Sequence, residues 1–112
     1  MLSPKYRLTK RNDFQIIFKT GKKSFNKFFS LRYKLNNLEN PRIAVVVSNK
    51  VSKKAVERNK LKRQIRAIIT DLLPNFKQNF DIIINILSPS KNQEYNELQK
   101  ELLNILKKSN LF

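Results

Sequence analysis

The sequence predicts an α+β two-layer sandwich, and three patterns predict it. Residues 28–35 alternate apolar and polar side chains with period two, the mark of a half-buried strand. Residues 80–87 form a nearly continuous apolar run, which suits a strand covered on both faces. The segments starting at Lys53 and Ser90 place apolar residues three and four apart, as amphipathic helices do. Strands interleaved with helices in 112 residues make one domain, residues 1–112, with one modest core.

Taken in order, residues 1–8 read as a basic, loosely held arm. A short helix is expected from about Lys10 to Lys19, capped by Thr9 or Asn12, with Phe14, Ile17 and Phe18 on one face. Gly21, the only glycine, would stop it, because a position just past a helix often requires positive φ. An extra short strand is a candidate near Ser24–Lys27. In the strand at 28–35, Phe29, Leu31, Tyr33 and Leu35 point one way, and Ser30, Arg32 and Lys34 the other. Asn36–Pro41 is turn material. Arg42–Ser48 is a second, β-branched strand, and a hairpin is the simplest link between the two.

The helix from Lys53 has Ser52 as its candidate N-cap and ends before Pro74. Leu61, Ile65, Ile68 and Leu72 share one of its faces; Asn59, Lys62, Arg63 and Arg66 share the other, and Arg58 borders both. Ser88-Pro89 closes the strand at 80–87. Ser90 and Gln93 have the spacing of a capping box opening a last helix. Tyr95, Leu98, Leu102, Ile105 and Leu106 are its apolar stripe. Glu94, Glu97 and Glu101 lie toward its start and Lys107 and Lys108 at its end, in keeping with the helix macrodipole.

Charge separates the working part of the chain from the rest. The 24 Lys and Arg outnumber the 8 Asp and Glu, a balance of +16. Residues 1–40 carry ten cations and two acids, residues 41–70 nine and one, and residues 71–112 five and five. The surplus lies in the first 70 residues, which points to a polyanion: nucleic acid or an anionic membrane. A membrane is disfavoured. No apolar run approaches the ~20 residues a bilayer span needs, and the N-terminus lacks the apolar region of a signal peptide. With no cysteine, disulfide and thiol chemistry are excluded, and a cytoplasmic location is expected.

Catalysis by the polypeptide itself is not expected. There is no His and no Cys, which removes the usual general base, the thiol nucleophile and the soft metal ligands. One glycine cannot form a phosphate-cradling loop. Glu94, Glu97 and Glu101 read as a solvated helix flank rather than a metal site. No catalytic residue and no protein-borne metal site are therefore assigned.

Two constellations do carry chemistry. The first is Arg58, Asn59, Lys62, Arg63 and Arg66, with Lys53 and Lys54 at the helix start. Arginine grips phosphate with a planar fork, and Asn donates to phosphate or reads a base edge. A merely solvated helix would alternate signs; residues 53–66 hold one acid, Glu57, among the cations Lys53, Lys54, Arg58, Lys60, Lys62, Arg63 and Arg66. The second is Phe14 and Phe18 with Arg32 and Lys34. Aromatics beside cations suit a single strand, whose bases stack and whose phosphates pair. Phe14 and Phe18 fit equally the core of a short helix.

The segment Ala55-Val56-Glu57-Arg58-Asn59-Lys60-Leu61-Lys62-Arg63-Gln64-Ile65-Arg66 resembles the Arg-Asn-Arg signature of the protein subunit of bacterial ribonuclease P. Leu8, Asp13-Phe14, Phe18-Lys19, Gly21, Asn26 and Val47-Ser48 resemble the flanking pattern. Asn49 departs from it, where the family commonly has Lys. The resemblance implies a fold similar to the second domain of ribosomal protein S5, in the order αββ(β)αβα with a left-handed β-α-β crossover, against the usual right hand.

It also implies partners: a large RNA that performs the hydrolysis with Mg²⁺ held on the RNA, and precursor tRNA, whose 5′ leader is removed to give the mature end. Arg58, Asn59, Lys62, Arg63 and Arg66, with Lys53 and Lys54, would meet the RNA subunit. Phe14, Phe18 and Arg32, with Lys34 and Lys50, would serve the leader. No membrane and no protein partner are implied. The alternative is a small ribosomal or general structured-RNA-binding protein with no part in cleavage. A helix-turn-helix reader of DNA is disfavoured, since a strand and not a helix precedes the basic helix.

Overall fold

The apolar run takes the centre of the sheet. In the computed structural model, which describes residues 3–112, β4 (Phe80–Ile86) lies antiparallel to β2 (Phe29–Leu35) and parallel to β3 (Arg42–Val47). β1 (Lys22–Phe25) adds to the outside of β2, giving the order β1-β2-β4-β3. The expected hairpin between β2 and β3 therefore does not form. A strand apolar on both faces gains most by lying between two others, and the short loop joining β2 to β3 offers only a small entropic advantage against that.

The α-helices among the described residues are α1 (Arg11–Thr20), α2 (Ala55–Leu72), which joins the parallel neighbours β3 and β4, and α3 (Tyr95–Lys108). The register sorts β4 by face. Ile82, Ile84 and Ile86 lie level with Tyr33, Leu31 and Phe29 on one side and with Ile43, Val45 and Val47 on the other. These residues form the main core with Leu61, Ile65, Ile68 and Ile69 of α2 and Leu98, Leu102, Ile105 and Leu106 of α3. That is the expected two-layer sandwich.

The opposite face carries Asp81, Ile83 and Asn85, level with Arg42, Ala44 and Val46 and with Lys34, Arg32 and Ser30. Here α1 makes a partial further layer. Its Ile17 and Phe14 pack with Leu8, Ile83 and Ala44 in a small second cluster.

Both ends of α1 are fixed to the sheet. At its start, Arg42 Nη1 donates to Asp13 at 3.2 Å, while its Nη2 and Nε donate to the two oxygens of Asp81 at 2.6 and 2.8 Å. Asn36 adds a bond to Asp81 at 2.9 Å, so this buried carboxylate is fully partnered. At its end, Gly21 has φ −75° and ψ 161°, which is extended and not the positive φ anticipated. Glycine is needed there for clearance: a Cβ would lie 2.5 Å from the Ile17 carbonyl oxygen and 3.0 Å from that of Tyr33.

Other local expectations are corrected. The arm is not loose from Ser3 onward: a 3-10 turn spans Pro4–Tyr6, and the buried Leu8 donates its amide to the Ile43 carbonyl at 2.9 Å. Residues 1–2 lie outside the described residues. Lys10, not Thr9 or Asn12, occupies the N-cap of α1, without a side-chain bond. Leu35 and Tyr95, each at an element end, are exposed.

The capping box at Ser90 is absent. Ser90 is buried, and its hydroxyl donates to the Leu87 carbonyl. The Ser88–Ser90 turn directs the chain away from helix, so α3 begins at Tyr95 behind Glu94.

Candidate nucleic-acid interface

α2 is amphipathic, and the sheet selects which face is buried. Leu61, Ile65, Ile68 and Ile69 are buried, whereas Asn59, Lys60 and Arg63 are exposed and Arg58, Lys62 and Arg66 half-buried. Half-burial is usual for long cationic side chains, whose apolar stems can cover the fold while the charged head stays in water. Lys53 and Lys54 are exposed just ahead of the helix.

Ser52 is a hub rather than the cap residue itself. Lys54 holds the N-cap position. The Ser52 hydroxyl accepts the Lys54 amide at 3.2 Å and donates to Glu57, and the Ser52 carbonyl accepts from Arg58 Nη1 at 3.0 Å. The Ser52 hydrogen bond lowers the Glu57 pKa, against a partial desolvation, with Lys91 and Lys54 adding attraction. Glu57 also pairs with Lys91 at 3.8 Å. The one acid among residues 53–66 is thereby committed elsewhere. Among the described residues no acid pairs with Lys62, Arg63 or Arg66, so the charge of the ridge is not neutralised by an ion pair there.

The second constellation divides. Phe14 is half-buried in the cluster with Leu8, Ile17 and Ile83, and is core. Phe18 is 51 % exposed and stands at the rim of a small cleft whose lining includes Ser30, Arg32, Ile83, Asn85 and Val46. The Arg32 guanidinium sits 4.9 Å from the Phe18 ring centre and donates to the Phe18 carbonyl at 3.3 Å. Ring and cation thus share one edge of an open sheet face.

Lys34 is not part of that cleft. It bonds the Thr20 hydroxyl at 2.7 Å and lines a separate groove with Lys22, Tyr33 and Lys108. Lys50 is exposed in the loop after β3, where its carbonyl accepts from Ser88.

Four members of the cleft were missed in the sequence: Ser30, Val46, Ile83 and Asn85. Asn85 and Asp81 are the only polar residues of the β4 run, on the same face, and that spacing was the available signal. No group of three or more His, Cys, Asp or Glu that could hold a metal occurs among the described residues, and no helix is long and apolar enough to cross a membrane.

An exposed cationic ridge on one helix and an aromatic-edged open sheet face define a class: a small, basic α+β protein that holds polynucleotide. Its relatives narrow the class. The family model described as Ribonuclease P matches residues 2–110. The ribonuclease P protein component of Cyanothece sp. (strain PCC 7425 / ATCC 29141) is 34% identical, over 99% of this chain and 97% of that protein. That of Bacillus cereus (strain AH187) is 36% identical, over 98% and 96%.

Among solved structures, the Staphylococcus aureus RNase P protein superposes with a TM-score of 0.88 at 32% identity, covering 96% of this chain and 97% of that one. The Thermotoga maritima RNase P protein gives 0.83 at 33%, covering 91% and 96%. The chain belongs to the ribonuclease P protein family, and its role is that of the protein component of this endoribonuclease, in partnership with the RNase P RNA.

Proposed function

We propose that the α2 ridge holds the RNA subunit and that the Phe18–Arg32 cleft receives the single-stranded 5′ leader of precursor tRNA. Arg58, Asn59, Lys62, Arg63 and Arg66, with Lys53 and Lys54, contact folded RNA backbone. Arg58 has a double duty, since it also ties the helix start to Ser52. Phe18 stacks a leader base while Arg32 meets a phosphate. Phe14 supports the rim from the core, and Lys34 and Lys50 act outside the cleft as general attraction.

In this reading the polypeptide binds and aligns, and the partner RNA breaks the phosphodiester bond. Mg²⁺ would supply electrostatic stabilisation there, held by RNA; among the described residues no cluster of His, Cys, Asp or Glu offers it a site. A leader held by stacking favours precursor over mature tRNA, which has none to hold. Neutralising about six phosphates predicts a slope of log K against log salt near −4 to −5, at ~0.7–0.9 per phosphate.

The observation that carries the proposal is the ridge of Lys62, Arg63 and Arg66 without an acidic partner. The test is to add the chain to its RNA subunit and precursor tRNA at low Mg²⁺. Faster cleavage at the correct 5′ position is expected; no gain would instead favour a general RNA-binding role.

A further inference from the structure

β1 repeats, on a smaller scale, the device at the cleft rim. Phe25 is 71 % exposed, more than Phe18 at 51 %. A large aromatic side chain left in water on an edge strand gains nothing from folding. It is opposite Ser30 in the sheet register, and Ser30 lies level with Asn85 and Asn85 with Val46. Directly opposed residues project from the same face. Phe25, Ser30, Asn85 and Val46 thus form one row across all four strands, and the last three line the cleft. Phe25 also has its own cation: Lys108 at the end of α3 reaches round the sheet edge to 6.0 Å from the ring centre and donates to the Phe25 carbonyl at 3.4 Å. Lys23, two residues earlier on the same face, is opposite Arg32 and is exposed.

We propose that Phe25, with Lys108 and Lys23, is a second stacking platform that extends the strand-binding row across β1 and takes a further unpaired nucleotide. This rests on the reading of the Phe18–Arg32 cleft as the leader site. The added strand widens the row by ~4.8 Å, of the order of the ~3.4 Å rise of a stacked base, so about one more base fits. Contact is by ring face and ammonium, which every base and phosphate can meet. The platform therefore measures leader length and not leader sequence.

The experiment uses the holoenzyme reconstituted with the RNA subunit and a set of precursor tRNAs with leaders lengthened one nucleotide at a time. The ratio of wild-type to Phe25→Ala affinity should rise by a step, roughly 5- to 30-fold, once the leader is long enough to cross the row. Phe25→Trp should restore the step, and Lys108→Ala should reduce it. A ratio equal at every length would overturn the proposal, as would Phe25→Trp failing to restore it. The underlying cleft reading fails in a different way. In that case Phe18→Ala leaves discrimination between precursor and mature tRNA intact at every leader length.

Discussion

On one face of the sheet, Ile82, Ile84 and Ile86 are sealed under α2 and α3; on the other, Ile83 is covered while Val46 and Asn85 stay open. The closed face holds almost all of the chain's large buried side chains, with Lys22 opposite Tyr33 as an exposed charge on its edge strand. The open face holds Arg32, Arg42 and Asp81, with one short helix laid over part of it. The contrast separates two tasks. One face supplies stability by burying apolar area. The other leaves a row of strand positions uncovered, where the leader is proposed to bind.

Substitutions can break or sharpen this contrast. The largest effect is expected on the closed face: Ile84→Ala should cost about 2–5 kcal/mol in urea unfolding, because the cavity cannot collapse. On the open face, Asp81→Ala should cost about 1–3 kcal/mol, since Arg42 would lose its main partner and Asn36 one bond. It should also loosen α1. A cost below about 0.5 kcal/mol would mean the clamp is not structural.

Phe18→Ala should scarcely change stability but lower precursor binding relative to mature tRNA by about 1–2 kcal/mol, measured by competition. Equal losses for both RNAs would move Phe18 into a general role. Arg63→Ala should weaken RNA-subunit binding and reduce the salt slope by about 0.7–0.9 per lost phosphate contact, with unfolding unaffected.

The smallest effect concerns pH. Glu57 has its pKa lowered in the fold, so its contribution is present above the ordinary carboxyl value of 4.5. It is lost as pH falls through the lower folded value. Glu57→Gln should remove that small acid-limb sensitivity from a thermal melt series.

How much of this was legible in the chain differed by range of interaction. The stripe of α2 and the centrality of 80–87 follow from period and composition, which are local. The ridge was readable because sidedness on a helix is set within one turn. Strand pairing was not: nothing in residues 28–48 says that a later strand will come between β2 and β3. The Asp13–Arg42–Asp81 clamp joins positions far apart in sequence, and its one trace was an acid placed inside an isoleucine run. Phe14 and Phe18 look alike on a helical wheel. They part because Phe14 packs against the cluster of Leu8, Ile17 and Ile83 while Phe18 is left at the rim. Phe25 sits in a four-residue strand, too short to show any period.

Gly21 and Arg42 together anchor α1 at both ends, one by leaving no room for a methyl group and the other by a forked grip. The cleft edged by Phe18 is therefore framed by a helix held at both ends. In the proposed role, a guest strand would meet a cleft already in place, so little freedom of the protein would be left to be lost on docking. Selectivity then lies with the guest. On that proposal a flexible, unpaired end would fit the cleft, and an end already committed to a helix would not.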